Sequence, residues 1–194
     1  MNRVAELPAA AAWRHLDVRD GFEVLFLRKD RDGYRIDGQS TAVEAGDGWG
    51  VSYAFTLDTA WATRSAHVVG RSASGAHQVR LEGDGIGGWQ VDGEPAPELA
   101  GCLDVDLEAS AFTNALPVHR LGLRVGQRAE APAAYVRALD LRVERLEQRY
   151  ARLDDDRGHS RYDYEAPAFD FKCVLVYDDA GLVLDYPGIA VRVA

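Results

Sequence analysis

The chain has few cysteines and no long hydrophobic run, and each shortage excludes a class of protein. Its 194 residues contain two cysteines, Cys102 and Cys173, far apart in sequence, which is too few for the disulfide framework of a small secreted domain. No stretch approaches the roughly 18 apolar residues of a membrane helix. The first twelve residues include Glu6 and Pro8 and lack the apolar centre of a secretory signal. We therefore expect a cytoplasmic protein with reduced thiols and no integral membrane segment.

Cationic residues are also scarce. Lys and Arg number 22 against 31 Asp and Glu, which gives a formal net charge of −9. Nucleic-acid binding depends on Lys and Arg that neutralise phosphates, so a nucleic-acid partner is not expected. A length of 194 residues suits one domain with a sizeable core, and we predict a single domain over residues 1–194.

The sequence lacks the short motifs of common catalytic and cofactor sites. It contains no nucleophile elbow, no phosphate loop and no zinc-ligand spacing, and its five histidines show no pairing two or four residues apart. The glycines of residues 83–88 lack the lysine and the strand-to-helix context that phosphate binding needs, and they indicate turns. The sequence therefore predicts no metal, no cofactor and no assigned catalytic residue.

A two-residue period punctuated by glycine and aspartate is what the chain has in abundance. Between Val51 and Leu57 apolar and small polar residues alternate, and turn sequences such as Asp30-Arg31-Asp32-Gly33 separate the runs. About ten short strands suggest a mostly β, antiparallel barrel or strongly curved sheet, because closure or covering removes unpaired strand edges. Barrels of this size can enclose a ligand.

The segment 133–153 fits two structures. Tyr135, Leu139, Leu146 and Tyr150 follow a helical stripe. Leu139, Leu141 and Val143 instead alternate as in a strand. Periodicity leaves both interpretations open.

Two aspartates lie in the most distinctive stretch, residues 101–121, GCLDVDLEASAFTNALPVHRL. If Cys102 to Leu107 is extended, Asp104 and Asp106 point to the same face, about 7 Å apart at a rise of about 3.3 Å per residue. Such a pair can divide acid and base roles or hold a hard cation. Two aspartates on the solvent face of a strand are the simpler interpretation.

The residues after this strand are typical of a connection. Ser110, Thr113 and Asn114 favour turns through hydrogen bonds to nearby backbone groups, and Pro117 cannot donate to a central ladder. Alternation resumes at His119. We therefore predict a shaped loop followed by a second strand.

Arg64 lies among small residues, between Ala62 and Ala66 on one face of its strand. A guanidinium there is either an exposed edge charge or part of a polar interior, where it would need a partner. A polar interior with aromatic residues suits an amphiphilic ligand, which has a polar head group and a hydrophobic part. The four tryptophans are expected in the core. Plausible partners for Arg64 are Asp104, Asp106, Gln148, Tyr150, Tyr162 and Tyr186.

Several segments together resemble a bacterial family named for putative glycolipid binding, formerly a domain of unknown function. They are the 101–121 stretch, WATRSAHV before it, EQRYARL after it and GLVLDYPGIAVRV near the end, so the resemblance covers residues 13 to 193. One position departs from the family pattern, which has two arginines before the leucine, because His119 replaces the first. If that position contacts an anionic group of a ligand, the head-group preference of this protein differs from that of family members with arginine there.

The resemblance implies a mostly β, curved-sheet or barrel-like domain with little helix, similar in shape to bacterial lipid and lipoprotein carriers. It favours strands in residues 133–153. It also implies non-enzymatic binding of an amphiphile such as a glycolipid. Two alternatives stay open: an enzyme that uses Asp104 and Asp106 on a small sugar-like or lipid substrate, and a protein interaction module. The residues expected to contact the ligand are Arg64, Asp104, Asp106, Asn114, Arg120, Gln148 and Tyr186.

Overall fold

A computed structural model of the chain describes residues 6–17 and 19–194. Most of this part of the chain forms β-strands, and its longest helix has seven residues. The strands of the first half are β1 Ala10–His15, β2 Asp20–Lys29, β3 Gly33–Glu44, β4 Asp47–Asp58, β5 Thr63–Ser72, β6 Gly75–Gly83, β7 Trp89–Val91, β8 Glu94–Pro95 and β9 Asp104–Leu107. Those of the second half are β10 Arg128–Glu130, β11 Ala133–Val136, β12 Val143–Leu146, β13 Arg149–Arg152, β14 Ser160–Ala166, β15 Phe171–Tyr177, β16 Val183–Tyr186 and β17 Ala190–Arg192. The helices are α1 Ala115–Leu121 and 3-10 turns at Pro97–Leu99, Phe112–Asn114 and Pro167–Phe169.

Fourteen of the described strands form one antiparallel sheet. Its order is β10-β13-β14-β15-β16-β17-β1-β2-β3-β4-β5-β6-β7-β8. The expected alternation is clearest in β4, where Val51, Tyr53, Phe55 and Leu57 are buried and the residues between them are more exposed. The first and last strands meet in the middle of the sheet, where Trp13 on β1 pairs with Arg192 on β17. The sheet therefore joins the two halves of the sequence around a common core.

A second, three-stranded sheet lies against the inner face of the large one. Its order is β12-β11-β9, and β9 and β11 are parallel. Two hydrogen bonds, one between backbone groups and one to a side chain, fix its position: the Thr63 amide donates to the Leu103 carbonyl at 2.9 Å, and the Val105 amide donates to the Thr63 hydroxyl at 3.3 Å. This contact buries all four residues of β9.

The structure confirms several expectations. The fold is mostly β with little helix, and residues 133–153 form β11, β12 and β13, as the family resemblance implies. The four tryptophans are buried, and they are Trp13, Trp49, Trp61 and Trp89.

The predicted strand from His119 is wrong. Residues 112–121 form a 3-10 turn that runs directly into α1. Pro117 is compatible with this helix because it lies in the first turn, where its missing amide has no partner to lose. Gly122 ends α1 with a left-handed φ of 53°, a conformation in which glycine carries no Cβ penalty. The alternation of Leu121 and Leu123, which suggested a strand, spans the end of α1 and the residues that follow it.

Candidate functional site

A cavity of about 200 Å³ lies where β9, the 110–114 segment and the strands β14 to β16 meet. Its lining combines polar groups and aromatic rings. The polar residues are Arg19, Asp106, Glu108, Ser110, Asn114 and Arg137. The aromatic residues are Tyr135, Tyr164, Phe169, Phe171 and Tyr186. The cavity thus has the composition of a site for a small ligand with polar and apolar parts.

Asp106 is the buried carboxylate of this cavity. It accepts a hydrogen bond from the Thr113 hydroxyl at 2.7 Å and another from the Gln148 amide at 2.5 Å. The Gln148 amide also donates to the Tyr164 hydroxyl at 3.1 Å. Burial raises the pKa of Asp106 to about 6, against the opposing effect of these hydrogen bonds. Asp106 therefore changes protonation near neutral pH.

Asp104 has a different environment, although it is two residues away. It is buried against Arg120 of α1, whose Nη2 lies 2.5 Å from Oδ2 and whose Nε donates to Oδ1 at 3.0 Å. Burial raises the pKa of Asp104, and the guanidinium opposes this rise. Both aspartates are buried, so the interpretation that they lie on a solvent face is wrong. Asp106 lines the cavity and Asp104 does not.

Three aromatic rings form one wall of the cavity. The ring centroids of Tyr164, Phe171 and Tyr186 are 5.9 to 6.2 Å apart, and the rings meet edge to face at interplanar angles of 60° to 86°. Perpendicular contacts between rings at this separation are favourable. The wall is therefore held by contacts among its own rings.

A second aromatic pair lies beside an arginine at the cavity. Tyr135 and Phe169 have ring centroids 5.4 Å apart, and the Arg137 guanidinium lies 5.4 Å and 5.3 Å from their respective centroids. Arg137 also donates to Glu108 at 3.2 Å and lies 3.0 Å from Glu144. This guanidinium is thus used in contacts within the protein.

Hydrogen bonds from the large sheet hold the helical segment in place. The Tyr150 hydroxyl donates to Asn114 Oδ1 at 2.8 Å, and the Tyr177 hydroxyl donates to the Asn114 carbonyl at 3.1 Å. On the other side, Ser110 donates to the buried carboxylate of Glu23. These bonds position Ser110 and Asn114 at the cavity.

The structure brings together four of the seven residues predicted to contact a ligand. Asp106, Asn114 and Tyr186 line the cavity, and Gln148 supports Asp106 from behind. Asp104 and Arg120 form their own ion pair outside the lining. Arg64 is exposed and not part of a polar interior, although β5 is not an edge strand: its side chain is 45% exposed and lies 3.9 Å from Asp58.

Sequence reasoning missed most of the cavity lining. One signal was available, since Phe169 and Phe171 alternate just before and within β15, but nothing in the sequence showed which strands they face. The charged and aromatic lining residues that it missed are Arg19, Glu108, Tyr135, Arg137, Tyr164, Phe169 and Phe171.

His119, the position that departs from the family pattern, packs away from this cavity. Its ring stacks on Trp61 with centroids 3.7 Å apart and an interplanar angle of 4°. Burial lowers the pKa of His119 to about 4, so the ring is neutral at physiological pH. The edge of the ring approaches Gly181 so closely that a Cβ there would lie 2.7 Å from Nε2.

Residues 6–17 and 19–194 contain neither a metal-binding cluster nor a membrane-spanning helix. No group of three or more His, Cys, Asp or Glu side chains is arranged to hold a metal ion in this part of the chain. None of the helices described there has the length and apolar character needed to cross a bilayer.

The fold and the cavity define the class of the molecule: a curled, largely antiparallel sheet with a small ligand-sized cavity against its inner face. The model of the family described as "Putative glycolipid-binding" matches residues 10–192, and the chain belongs to this family.

The solved structures that are similar to the chain include two from bacteria. One is the crystal structure of a DUF1089 family protein from Pseudomonas aeruginosa, with 37% sequence identity and a TM-score of 0.74 over 88% of this chain and 92% of that chain. The other is a β-barrel-like protein of the domain of unknown function DUF1849 from Brucella abortus, with 11% identity and a TM-score of 0.54 over 98% and 96% of the two chains. The second similarity shows the fold alone. No curated protein matches the chain.

Proposed function

We propose that the protein binds the polar head group of an amphiphile, such as a glycolipid, in the cavity beside Asp106, without chemical conversion. The observation that carries the proposal is the division of the lining into a hydrogen-bonding floor around Asp106 and aromatic walls. A glycolipid presents the same two chemistries, hydroxyl groups next to a hydrocarbon chain. The family name agrees with this ligand class. We also propose a cytoplasmic location, in which the free thiols of Cys102 and Cys173 stay reduced.

The size of the cavity limits what enters it. At about 200 Å³ it is smaller than the roughly 300–1,000 Å³ of sites that enclose a whole drug-sized ligand. It has room for a head group and not for long acyl chains. Phe169 is the lining aromatic residue most open to solvent, at 41% exposed. We therefore propose that the acyl chain of the ligand leaves the cavity over the Phe169 ring.

The two alternative functions make different demands on the structure. An enzyme that divides acid and base roles between Asp104 and Asp106 requires both carboxylates to face one substrate. The Asp104 carboxylate instead forms an ion pair with Arg120 and does not line the cavity. An interaction module requires no internal cavity. The cavity at Asp106 therefore favours binding of a small molecule.

Replacement of Phe169 by Ala tests whether the acyl chain of the ligand passes over this ring. We expect affinity for a fluorescent fatty-acyl probe to fall about tenfold, because a lost aromatic contact removes roughly 1.5 kcal/mol of binding free energy. The matched control is Phe22→Ala, since Phe22 is an exposed phenylalanine of β2 that does not line the cavity. Titration of both variants by probe fluorescence measures the difference.

A direct test of binding precedes the variants. Native mass spectrometry of the protein purified from its own host is expected to show a co-purified amphiphile at one per chain. An empty protein that also fails to take up the acyl probe would exclude the proposed function. Uptake that Phe169→Ala and Phe22→Ala weaken equally would leave binding intact but place it elsewhere.

A further inference from the structure

We infer that the cavity selects a cationic, ammonium-bearing head group. The inference rests on the proposed function and names the head-group chemistry of the same site. It follows from three features: a buried carboxylate whose hydrogen-bond donors are neutral groups, arginines that already have partners within the protein, and a wall of aromatic rings.

Asp106 is the first feature. Both of its oxygens accept hydrogen bonds from neutral groups, the Thr113 hydroxyl and the Gln148 amide. The charged neighbours that act on its pKa are carboxylates, Asp104 and Glu108, and both raise it. A buried carboxylate in such surroundings is stabilised by any cation that reaches it.

The two arginines at the cavity are the second feature. Arg137 is shared by Glu108 and Glu144, at 3.2 Å and 3.0 Å. Arg19 donates to the Glu108 carbonyl at 2.9 Å, and its Nε lies 3.8 Å from a Glu44 carboxylate oxygen, close enough for charge attraction although this Nε makes no hydrogen bond. Each guanidinium therefore has a carboxylate or carbonyl partner within the protein. A phosphate or sulfate head group would have to compete with these partners and would also face Asp106.

The aromatic wall is the third feature. Tyr164, Phe171 and Tyr186 present ring faces and edges beside Asp106. The negative field of Asp106 reaches two of these rings, since it contributes to the raised pKa values of Tyr164 and Tyr186. Aromatic rings next to a carboxylate form the usual environment for an ammonium ion, whose charge is attracted by the ring faces. A neutral sugar would use the hydrogen bonds but gain nothing from the uncompensated charge.

The inference predicts a pH dependence. An ammonium group binds the carboxylate form of Asp106, so affinity rises as the pH increases from 5 to 7. The titratable and charged groups around Asp106 that could modify this dependence are Asp104, Glu108, Arg120, Arg19, Arg137, Tyr135, Tyr164 and Tyr186.

Three surfactants with the same decyl chain test the inference. Calorimetric titration at pH 7 uses decyltrimethylammonium, decyl glucoside and decyl sulfate, each below its micelle concentration. We expect the ammonium compound to bind at least about tenfold more tightly than the other two. Asp106→Asn should remove this preference and its pH dependence. Glu82→Gln removes an exposed carboxylate of β6 and should change neither, which controls for attraction to the acidic surface.

The outcomes separate the inference from the proposed function. Equal affinity for the three surfactants, or a preference for the sulfate, would overturn the inference and leave amphiphile binding in place. A preference for ammonium that persists in Asp106→Asn would also overturn it. Binding of none of the three, together with no uptake of the acyl probe, would overturn both.

Because Asp106→Asn also changes stability, Tyr186→Leu provides a second variant. It removes one ring of the aromatic wall and leaves the carboxylate in place. We expect it to weaken ammonium binding and to leave glucoside binding nearly unchanged. Equal weakening of both would contradict a role for the ring in cation recognition.

Discussion

Glu23→Ala is expected to lower the free energy of unfolding by about 3–5 kcal/mol, because it leaves three buried donors without an acceptor. Tyr53 donates to Glu23 at 2.5 Å, the Ala111 amide donates at 2.7 Å, and Ser110 donates to the same carboxylate. Glu23 is fully buried on β2. It is the acceptor through which the large sheet holds the segment that lines the cavity.

Urea unfolding of Glu23→Ala and Glu23→Gln measures this effect. The glutamine variant should lose less, since its amide oxygen still accepts a hydrogen bond. The exposed Glu82→Ala is the control and should stay within about 0.5 kcal/mol of the wild type. For a chain of this length the alanine variant should melt roughly 10 °C lower. If Glu23→Ala and Glu82→Ala unfolded alike, Glu23 would not hold the segment.

Asp106→Asn is expected to gain stability relative to the wild type as the pH rises. The pKa of Asp106 is about 6 in the folded protein and 3.8 as its ordinary value. Between these values the folded state binds more protons than the unfolded state, so the wild type loses stability with increasing pH. The two pKa values convert to a loss of about 3 kcal/mol, complete above pH 6. Asparagine carries no charge and does not incur this loss.

Unfolding of both proteins in urea at pH 4, 5, 6 and 7 measures the difference. The titratable groups common to both proteins, including Glu23, His15 and His119, contribute equally to both stabilities, so their contributions cancel in the difference. The stability difference between variant and wild type should grow by about 2.4 kcal/mol from pH 4 to pH 7, because the unfolded-state aspartate is already partly ionised at pH 4. A difference that stays constant over this range would show that Asp106 does not titrate as the structure requires.

The large sheet could be predicted from the sequence because its signals are local. The alternation of Val51 to Leu57 and the turn at Asp30 to Gly33 specify strands and hairpins without knowledge of distant residues. The helix at Ala115–Leu121 could not be predicted in this way. Its proline is typical of both a loop and a first helical turn, and packing on the sheet decides between them.

The cavity was predictable only in part for the same reason. Asp106 and Asn114 belong to a distinctive local stretch, and reasoning from it identified both. Their counterparts Tyr164 and Phe171 lie on strands whose register and position depend on the whole sheet. The charge balance at Arg137 and Arg19 likewise involves carboxylates from three separate segments. No local spacing in the sequence shows that these arginines and carboxylates lie together in the folded protein.

The pairing of β1 with β17 has a consequence for how the chain folds. Trp13 donates its indole N–H to the Val183 carbonyl, 170 residues further along the chain, and the strands around both residues are joined into the same sheet. Contacts of such high sequence separation slow folding, because the loop must close before the contacts stabilise it. During synthesis β1 must wait for the last strands to leave the ribosome. Until then β1 has one unpaired edge, because its neighbour on that side is β17, and an unpaired strand edge can associate with another chain.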